Sequence, residues 1–252
     1  MENMETENSK LSIPMAILVV GVLIAGAILL KGSKPAEAPA KTNNGTQTAE
    51  VAPVSENDRT LGNKDAKVAL VLYEDFQCPF CGAVSGSLKP DAQVMQYIKT
   101  KLDPNWQPFM PGVMSDYVNT GKVLLVYRDW AFLGPESIKS AEAGRCAQEQ
   151  GKFWEYHDYL FSHQGGENQG AFSDTNLKSF AKKLSLDTTA FDKCLDSGKY
   201  EEAVKSQRAE GTAAGVQGTP KGFILKDGKT VSTIDGAESL PGVKQKIEEA
   251  LK

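Results

Sequence analysis

The sequence has little of what several protein classes require. Its four cysteines are too few for a small disulfide-scaffold protein but suit two pairs. It has no excess of basic charge, because 28 Lys and Arg against 32 Asp and Glu give a net charge of -4, and this argues against nucleic-acid binding. Hydrophobic residues (40%) and charged residues (24%) are close to the globular average. A chain of 252 residues therefore corresponds to one domain or two small ones.

Charge is absent from one stretch of 20 residues between Lys10 and Lys31. The stretch is long enough to cross a hydrocarbon core of ~30 Å as one helix. A buried core helix is the alternative, although such helices rarely run this long without a charge. The preceding residues are acidic rather than basic, which argues against a cleaved signal peptide. We predict that residues 1–31 form an N-terminal tail and an uncleaved, single-pass transmembrane anchor; cleavage near Ala38 is the alternative.

The residues after this stretch predict a tether and then a folded domain. Residues 32–58 are rich in Ala, Pro, Thr and Asn and poor in large apolar residues, so we predict a disordered, flexible linker. Lys31, Lys34 and Lys41 outnumber Lys10, which would orient the C-terminal part inward. Long domains translocate largely regardless of charge, however, so the cysteine chemistry has to decide the orientation.

Residues 59–252 predict an α/β layer architecture. Apolar runs predict buried strands at residues 67–73 and 122–127, and Asp227-Gly228 predicts the turn of a hairpin. Helical signals dominate between the second strand and the hairpin, and the chain ends in an amphipathic helix. The order is strand, helix, strand, a helical insertion at about 134–214, hairpin and helix.

Cys78-Pro79-Phe80-Cys81 follows the first predicted strand and leads into a predicted helix. If Cys78 caps this helix, its sulfur faces unpaired backbone N–H groups and the positive end of the helix dipole. Both stabilise the thiolate, so the pKa of Cys78 falls. A stabilised thiolate stabilises the reduced form, which makes the disulfide an oxidant. Cys81, one turn further, is expected to be more buried and to act as the resolving partner.

Two other interpretations of the cysteine pair remain open. A C-x-x-C pair is also half of a zinc site, but the sequence has no second such pair and both histidines are distant. An inert structural disulfide is the other alternative, although strand, C-x-x-C and helix in this order are a redox context. We therefore expect neither a metal nor an organic cofactor.

Residues 75–81 (DFQCPFC) resemble the active site of DsbA-like thioredoxin-fold proteins. Further runs agree with this resemblance, which covers about residues 60–252: YRD at 127–129, GKFWEYH at 151–157 and GVQGTP at 215–220. It implies a thioredoxin-like fold with a helical insertion, and thiol:disulfide oxidoreductase activity. The dipeptide Pro79-Phe80 resembles that of oxidases.

The resemblance also implies roles for residues outside the motif. In this family the proline that matches Pro220 is cis and faces the active-site disulfide, and Thr219 would offer backbone groups to a substrate peptide. Relatives often carry a glutamate six residues before the first cysteine, where this chain has Leu72. Glu74 or Asp75 is the candidate to replace it as a proton relay, and water is the alternative.

The remaining cysteines and histidines are expected to be structural. Some DsbA-like proteins carry a second, non-catalytic disulfide, and we expect one between Cys146 and Cys194, with two buried thiols as the alternative. His157 shares a helical face with apolar residues and is interpreted as a packed residue rather than a catalyst.

Together these features predict a membrane-anchored thiol:disulfide oxidoreductase whose catalytic domain lies in an oxidising, extracytoplasmic space. It would introduce disulfides into reduced exported proteins. The resemblance implies reoxidation by a membrane quinone-linked enzyme of the DsbB or vitamin K epoxide reductase type. The alternatives are a tethered reductase or isomerase, or a non-catalytic, chaperone-like peptide-binding module.

Overall fold

The computed structural model describes residues 50–87 and 90–252. The elements that build the sheet and its hairpin are β1 (Arg59–Leu61), β2 (Val68–Glu74), β3 (Val123–Asp129), β4 (Lys221–Lys226) and β5 (Lys229–Asp235). The helices are α1 (Pro79–Ser85), α2 (Ala92–Tyr97), α3 (Phe109–Val113), α4 (Pro135–Gln148), α5 (Phe153–Phe161), α6 (Asp174–Lys183), α7 (Thr188–Ser197), α8 (Glu201–Ala213) and α9 (Leu240–Leu251). Wider, π-helical turns continue α2 through Ile98–Leu102 and α3 through Met114–Val118.

The strands form one mixed sheet in the order β1-β3-β2-β4-β5. β2 and β3 are parallel at its centre, and the other neighbours are antiparallel. Every residue of both central strands is buried, because helices or loops cover both faces of the sheet. Leu70 and Leu72 pack with α9 on one face, whereas Val71 and Tyr73 belong to the cluster on the other. Because successive side chains of a strand point to opposite faces, the apolar run of β2 contributes to two separate cores.

The predicted hairpin is present, with Asp227 and Gly228 between β4 and β5. Both residues have positive φ angles, of 49° and 78°, as a tight primed turn requires. The predicted order of elements is confirmed, and β1 is an additional short edge strand. Helices α4 to α8 occupy residues 135–213 between the central strands and the hairpin, which gives a thioredoxin-like α/β fold with a helical insertion.

The folded unit begins before residue 59, which corrects the predicted extent of the linker. Val51 is buried, and Arg128 donates hydrogen bonds to the carbonyl oxygens of Ala52 and Pro53 at 2.9 and 3.0 Å. The Arg128 guanidinium also binds both carboxylate oxygens of Asp58 at 2.9 Å. Residues 50–58 lack large apolar side chains, but a buried arginine from β3 supplies the contacts that hold them. Composition alone does not show that partner.

The predicted anchor (1–31) and most of the linker lie outside the described residues. In the part of the chain that is described, no helix combines the length and apolar character needed to span a bilayer.

Candidate active site

The cysteine pair lies where β2 passes into α1. Cys78 is the residue that caps α1, and Pro79 occupies the first helical turn, where its missing N–H costs no hydrogen bond. Both cysteines are free thiols in the structure. Cys78 retains 4% of its surface, whereas Cys81 retains none. An incoming thiol therefore reaches Cys78 and not Cys81.

The two thiols have opposite electrostatic environments. A hydrogen bond from the Cys81 thiol lowers the pKa of Cys78, and the backbone N–H groups of Cys81 and Phe80 lower it further against the opposing effect of burial. Burial raises the pKa of Cys81 well above its ordinary value, and the neighbouring Cys78 and Glu74 raise it further. The pair thus combines an accessible, stabilised thiolate with a buried thiol that holds its proton.

The segment before β4 brings a backbone acceptor to the outer thiol. The Thr219-Pro220 peptide bond is cis. The carbonyl oxygen of Thr219 accepts a hydrogen bond from the Cys78 thiol, with 3.3 Å between Sγ and O. Backbone groups next to Cys78 are therefore available at the point where a substrate disulfide would form.

Asp75 holds the loop between β2 and α1, and this differs from its candidate role in proton transfer. One carboxylate oxygen accepts hydrogen bonds from the Gln77 N–H at 2.8 Å and the Ser137 hydroxyl at 2.7 Å. The other accepts from the N–H groups of Phe132 and Leu133 at 2.8 and 3.1 Å. Burial raises the pKa of Asp75 despite these four donors. The carboxylate is fully used in fixing the loop, so it is a poor proton carrier.

Glu74, the other candidate, has a different environment. It ends β2 with 1% of its surface exposed, and neither carboxylate oxygen has a hydrogen-bond partner in the described structure. Its neighbours include Cys81, whose pKa it raises, and His157, whose Nε2 lies 3.6 Å from Oε2. The structure thus brings Glu74 close to the buried cysteine, with carboxylate oxygens that have no hydrogen-bond partner among the described residues.

The helical insertion contributes a clamp that sequence reasoning missed. The Gln164 amide donates to the carbonyl oxygens of Phe76 and Cys78 at 2.7 and 2.9 Å. Gln77 donates to the Ser137 hydroxyl at 2.8 Å and accepts from the Asn168 N–H at 2.6 Å. Gln164 lies 86 positions from Cys78 and Asn168 lies 91 positions from Gln77, so only the tertiary fold reveals these contacts.

Cys146 and Cys194 are joined by a disulfide in the structure, with Cα atoms 5.8 Å apart. The bond links α4 to α7 inside the helical insertion. The same apolar cluster contains Cys78 and Cys81, so the disulfide strengthens the layer against which the redox motif packs.

Two open grooves flank Phe80, the half-buried aromatic residue of the active-site dipeptide. One, of about 580 Å³, is bordered by Gln77, Pro79 and Gln164. The other, of about 550 Å³, is bordered by Trp106 and Thr219. Phe80 and Tyr97 line both grooves, with their ring centroids 6.0 Å apart. Apolar surface therefore adjoins the reactive sulfur on both sides.

The thioredoxin family model matches residues 54–101 and 105–247, which is most of the chain and includes the cysteine pair and the cis-proline loop. The chain belongs to the thioredoxin family. Among curated relatives it is 25% identical over 170 residues to a probable disulfide bond formation protein D of Bacillus anthracis, covering 66% of this chain and 69% of the relative. It is also 26% identical over 171 residues to a Na(+)/H(+) antiporter NhaA 1 of Salinispora arenicola, covering 67% of this chain but only 22% of the antiporter. The chain thus spans about a fifth of the antiporter relatives that it matches.

Solved structures show which members of the family share this fold. Oxidised BdbD from Bacillus subtilis aligns with a TM-score of 0.63 at 20% identity, covering 81% of this chain and 98% of that one. The α-DsbA1 protein from Wolbachia pipientis aligns with a TM-score of 0.64 at 19% identity, covering 79% and 94%. The chain therefore has the DsbA-like form of the thioredoxin fold, in which helices are inserted between the central strands and the hairpin.

Proposed function

We propose that this protein is a thiol:disulfide oxidoreductase that introduces disulfides into exported proteins through Cys78 and Cys81. The observation that carries the proposal is the contrast within the pair. Cys78 caps a helix with a lowered pKa and a small exposed surface, while Cys81 is fully buried with a raised pKa. An accessible, good leaving thiolate beside a buried, protonated partner is the arrangement that disulfide exchange requires.

The proposed reaction consists of two successive thiol–disulfide exchange steps. A substrate thiolate attacks Sγ of Cys78 in the Cys78–Cys81 disulfide; the substrate–Cys78 bond forms, and the sulfur of Cys81 leaves and takes up a proton. A second substrate thiolate then attacks the substrate sulfur of this mixed disulfide and releases Cys78 as the thiolate. The substrate loses two electrons, and the cysteine pair gains them.

The surroundings of Cys78 support a polypeptide substrate. The Thr219 carbonyl lies beside the sulfur, which favours pairing with an extended peptide backbone, and the grooves around Phe80 offer apolar contacts on either side. The relative from Bacillus anthracis carries the name disulfide bond formation protein D, which agrees with the oxidising direction.

We further propose an extracytoplasmic location and reoxidation by a membrane quinone-linked enzyme. A disulfide between Cys146 and Cys194 persists best in an oxidising compartment. The charge-free stretch between Lys10 and Lys31 would anchor the catalytic domain at the membrane that holds the reoxidase. The cycle needs such a partner because each substrate disulfide leaves Cys78 and Cys81 reduced.

The test is oxidation of a reduced, unfolded protein by the oxidised domain in the absence of other oxidants. We expect one substrate disulfide per Cys78–Cys81 pair and no activity from Cys78→Ala. In Cys81→Ala whose Cys78 first carries glutathione as a mixed disulfide, a substrate thiolate should displace the glutathione and form a substrate–Cys78 mixed disulfide. Oxidation that persists in Cys78→Ala would overturn the proposal. Binding of the unfolded protein without any thiol oxidation would instead favour a chaperone-like peptide-binding module.

A further inference from the structure

His157 occupies an unusual environment for a histidine that only packs. It lies on α5 with 2% of its surface exposed. Its ring is surrounded by five aromatic rings at centroid distances of 4.8 to 5.8 Å, those of Phe76, Tyr127, Phe153, Trp154 and Phe161. Both ring nitrogens nevertheless face carboxylates. Nδ1 lies 2.8 Å from Oδ1 of Asp158, and Nε2 lies 3.6 Å from Oε2 of Glu74.

Glu74 and His157 depend on each other electrostatically. An ionised carboxylate without hydrogen bonds in an apolar core is costly unless a positive charge compensates it. Within the described residues, His157 is the ion-pair partner of Glu74. Burial lowers the pKa of His157, but the interactions with Asp158 and Glu74 raise it by more, so its net pKa lies above the ordinary value. His157 is therefore the positive partner that this core offers to the Glu74 carboxylate.

The two ends of this pair face different surroundings. At the inner end, Glu74 acts on the buried thiol of Cys81. At the outer end, Asp158 keeps 79% of its side chain exposed. His157 and Asp158 also line a cavity of about 430 Å³ between α5 and the segment around Met110 and Met114, and neither redox cysteine lines that cavity. A buried acid–base pair thus connects the closed side of the disulfide to solvent.

We infer that Glu74, His157 and Asp158 form a proton route between the Cys81 thiol and the solvent-facing side of the α5 cavity. The inference rests on the proposed disulfide exchange and gives it a defined path for the proton. When the disulfide is reduced, the Cys81 thiolate takes a proton from Glu74. His157 then reprotonates Glu74 and regains its own proton from solvent beside Asp158. When the pair is reoxidised, Cys81 loses its proton along the same route before its sulfur attacks the Cys78 sulfur of a mixed disulfide and displaces the oxidant's thiolate.

The charged groups around the route are few and have assigned partners. Arg59 of β1 lies over the Tyr127 and Phe153 rings but is held by Asp129 at 2.8 Å. The Tyr127 hydroxyl of β3 is buried, and burial holds its pKa well above the ordinary value, so it does not exchange protons near neutral pH. Glu155 of α5 lines the same cavity as His157 and is paired at 2.9 Å with the lysine that precedes α5.

The test follows the reduced protein as glutathione disulfide oxidises it, with acid quenching and mass spectrometry from pH 5 to 9. The first step forms the Cys78–glutathione mixed disulfide, and the second closes Cys78–Cys81 after Cys81 has lost its proton. We expect His157→Gln and Glu74→Gln to slow the second step about tenfold or more at neutral pH, because a positioned acid–base group contributes ~10²–10⁴-fold and water replaces it only in part. The first step should keep its wild-type rate. The pH at which the second step reaches half its maximal rate should rise in His157→Gln, and it should fall in Glu74→Gln because the removed carboxylate no longer raises the pKa of Cys81.

Two further variants keep the result independent of folding. Asp158→Asn changes an exposed side chain and should shift the pH profile of the second step in the same direction as His157→Gln, by a smaller amount. His163→Gln is the matched control, because His163 is the other histidine of the chain, lies just beyond α5 and bonds to the Tyr159 carbonyl at the surface. It should behave as wild type.

The outcomes separate this inference from the proposed function. If Cys78 of the wild-type protein forms no mixed disulfide, the proposed function fails and the route with it. If the first step proceeds and the second keeps its rate and pH profile in His157→Gln and Asp158→Asn, only the route is overturned. If Glu74→Gln alone slows the second step, the proton reaches Cys81 through Glu74 without His157, which also contradicts the inference.

Discussion

Removal of the Cys146–Cys194 disulfide should destabilise the domain without touching the redox pair. The perturbation is the double substitution Cys146→Ala and Cys194→Ala, made in a Cys78→Ala/Cys81→Ala background. In that background the second disulfide is the only one the chain can form, because the sequence has four cysteines. Any change in stability then reports on the link between α4 and α7.

The expected magnitude follows from the length of the closed loop. The two cysteines are 48 residues apart, and the chain-entropy model gives about 4 kcal/mol for a cross-link of that length. Both residues are buried, at 1% and 5% exposure, so the lost sulfur atoms add a small packing cost. At about 2–4 °C per kcal/mol for a domain of this size, the melting temperature should fall by roughly 8–16 °C.

The assay is thermal and urea unfolding of both proteins, with and without a reductant. Dithiothreitol should destabilise the parent by about 4 kcal/mol and leave the Cys146→Ala/Cys194→Ala protein unchanged. A loss below about 1 kcal/mol, or free thiols at both positions in the unreduced parent, would refute the reasoning.

Three further predictions concern the supports of the site and the fold. Asp75→Asn should lower the free energy of unfolding by about 3 kcal/mol, measured in urea, because an amide cannot accept the four donors that hold the loop; an unchanged midpoint contradicts this role. Gly211→Ala should cost about 1–3 kcal/mol, since a Cβ atom there would lie 2.8 Å from Trp130 and Tyr73 side-chain atoms; a crystal structure with unmoved rings would contradict the expected clash. Burial raises the pKa of Asp58, but hydrogen bonds from Arg128 and the Ser55 N–H lower it by more. The stability that ionised Asp58 contributes to the fold is therefore complete above the unfolded pKa of about 3.9 and is lost as the pH falls through the lower folded pKa. In Asp58→Asn, the free energy of unfolding measured by circular dichroism should therefore fall less steeply as the pH is lowered.

The sequence was most informative where one local pattern determines one local structure. The apolar run of β2, the Asp227-Gly228 turn and the C-x-x-C pair after a strand each act over a few residues, so composition and spacing suffice. In the segment between β2 and β3, the large apolar side chains of Trp106, Phe109 and Met110 are buried in the core.

The sequence was least informative where a distant partner decides. Residues 50–58 have the composition of a linker, yet Arg128 fixes them from β3. Gln164 reaches the carbonyl of Cys78 across 86 positions, and His157 meets Glu74 across the interface between α5 and the sheet. A helical face predicts that His157 is buried but not which charge it meets, since that depends on the docking of the insertion.

The redox equilibrium between the Cys78–Cys81 pair and glutathione tests the central claim most directly. The lowered pKa of Cys78, to whose sulfur the Cys81 thiol and backbone N–H groups donate hydrogen bonds, stabilises the reduced form, so the disulfide should be a strong oxidant. We predict a reduction potential closer to the approximately -120 mV of DsbA than to the approximately -270 mV of thioredoxin. A value near that of thioredoxin would contradict the account and indicate a reductase.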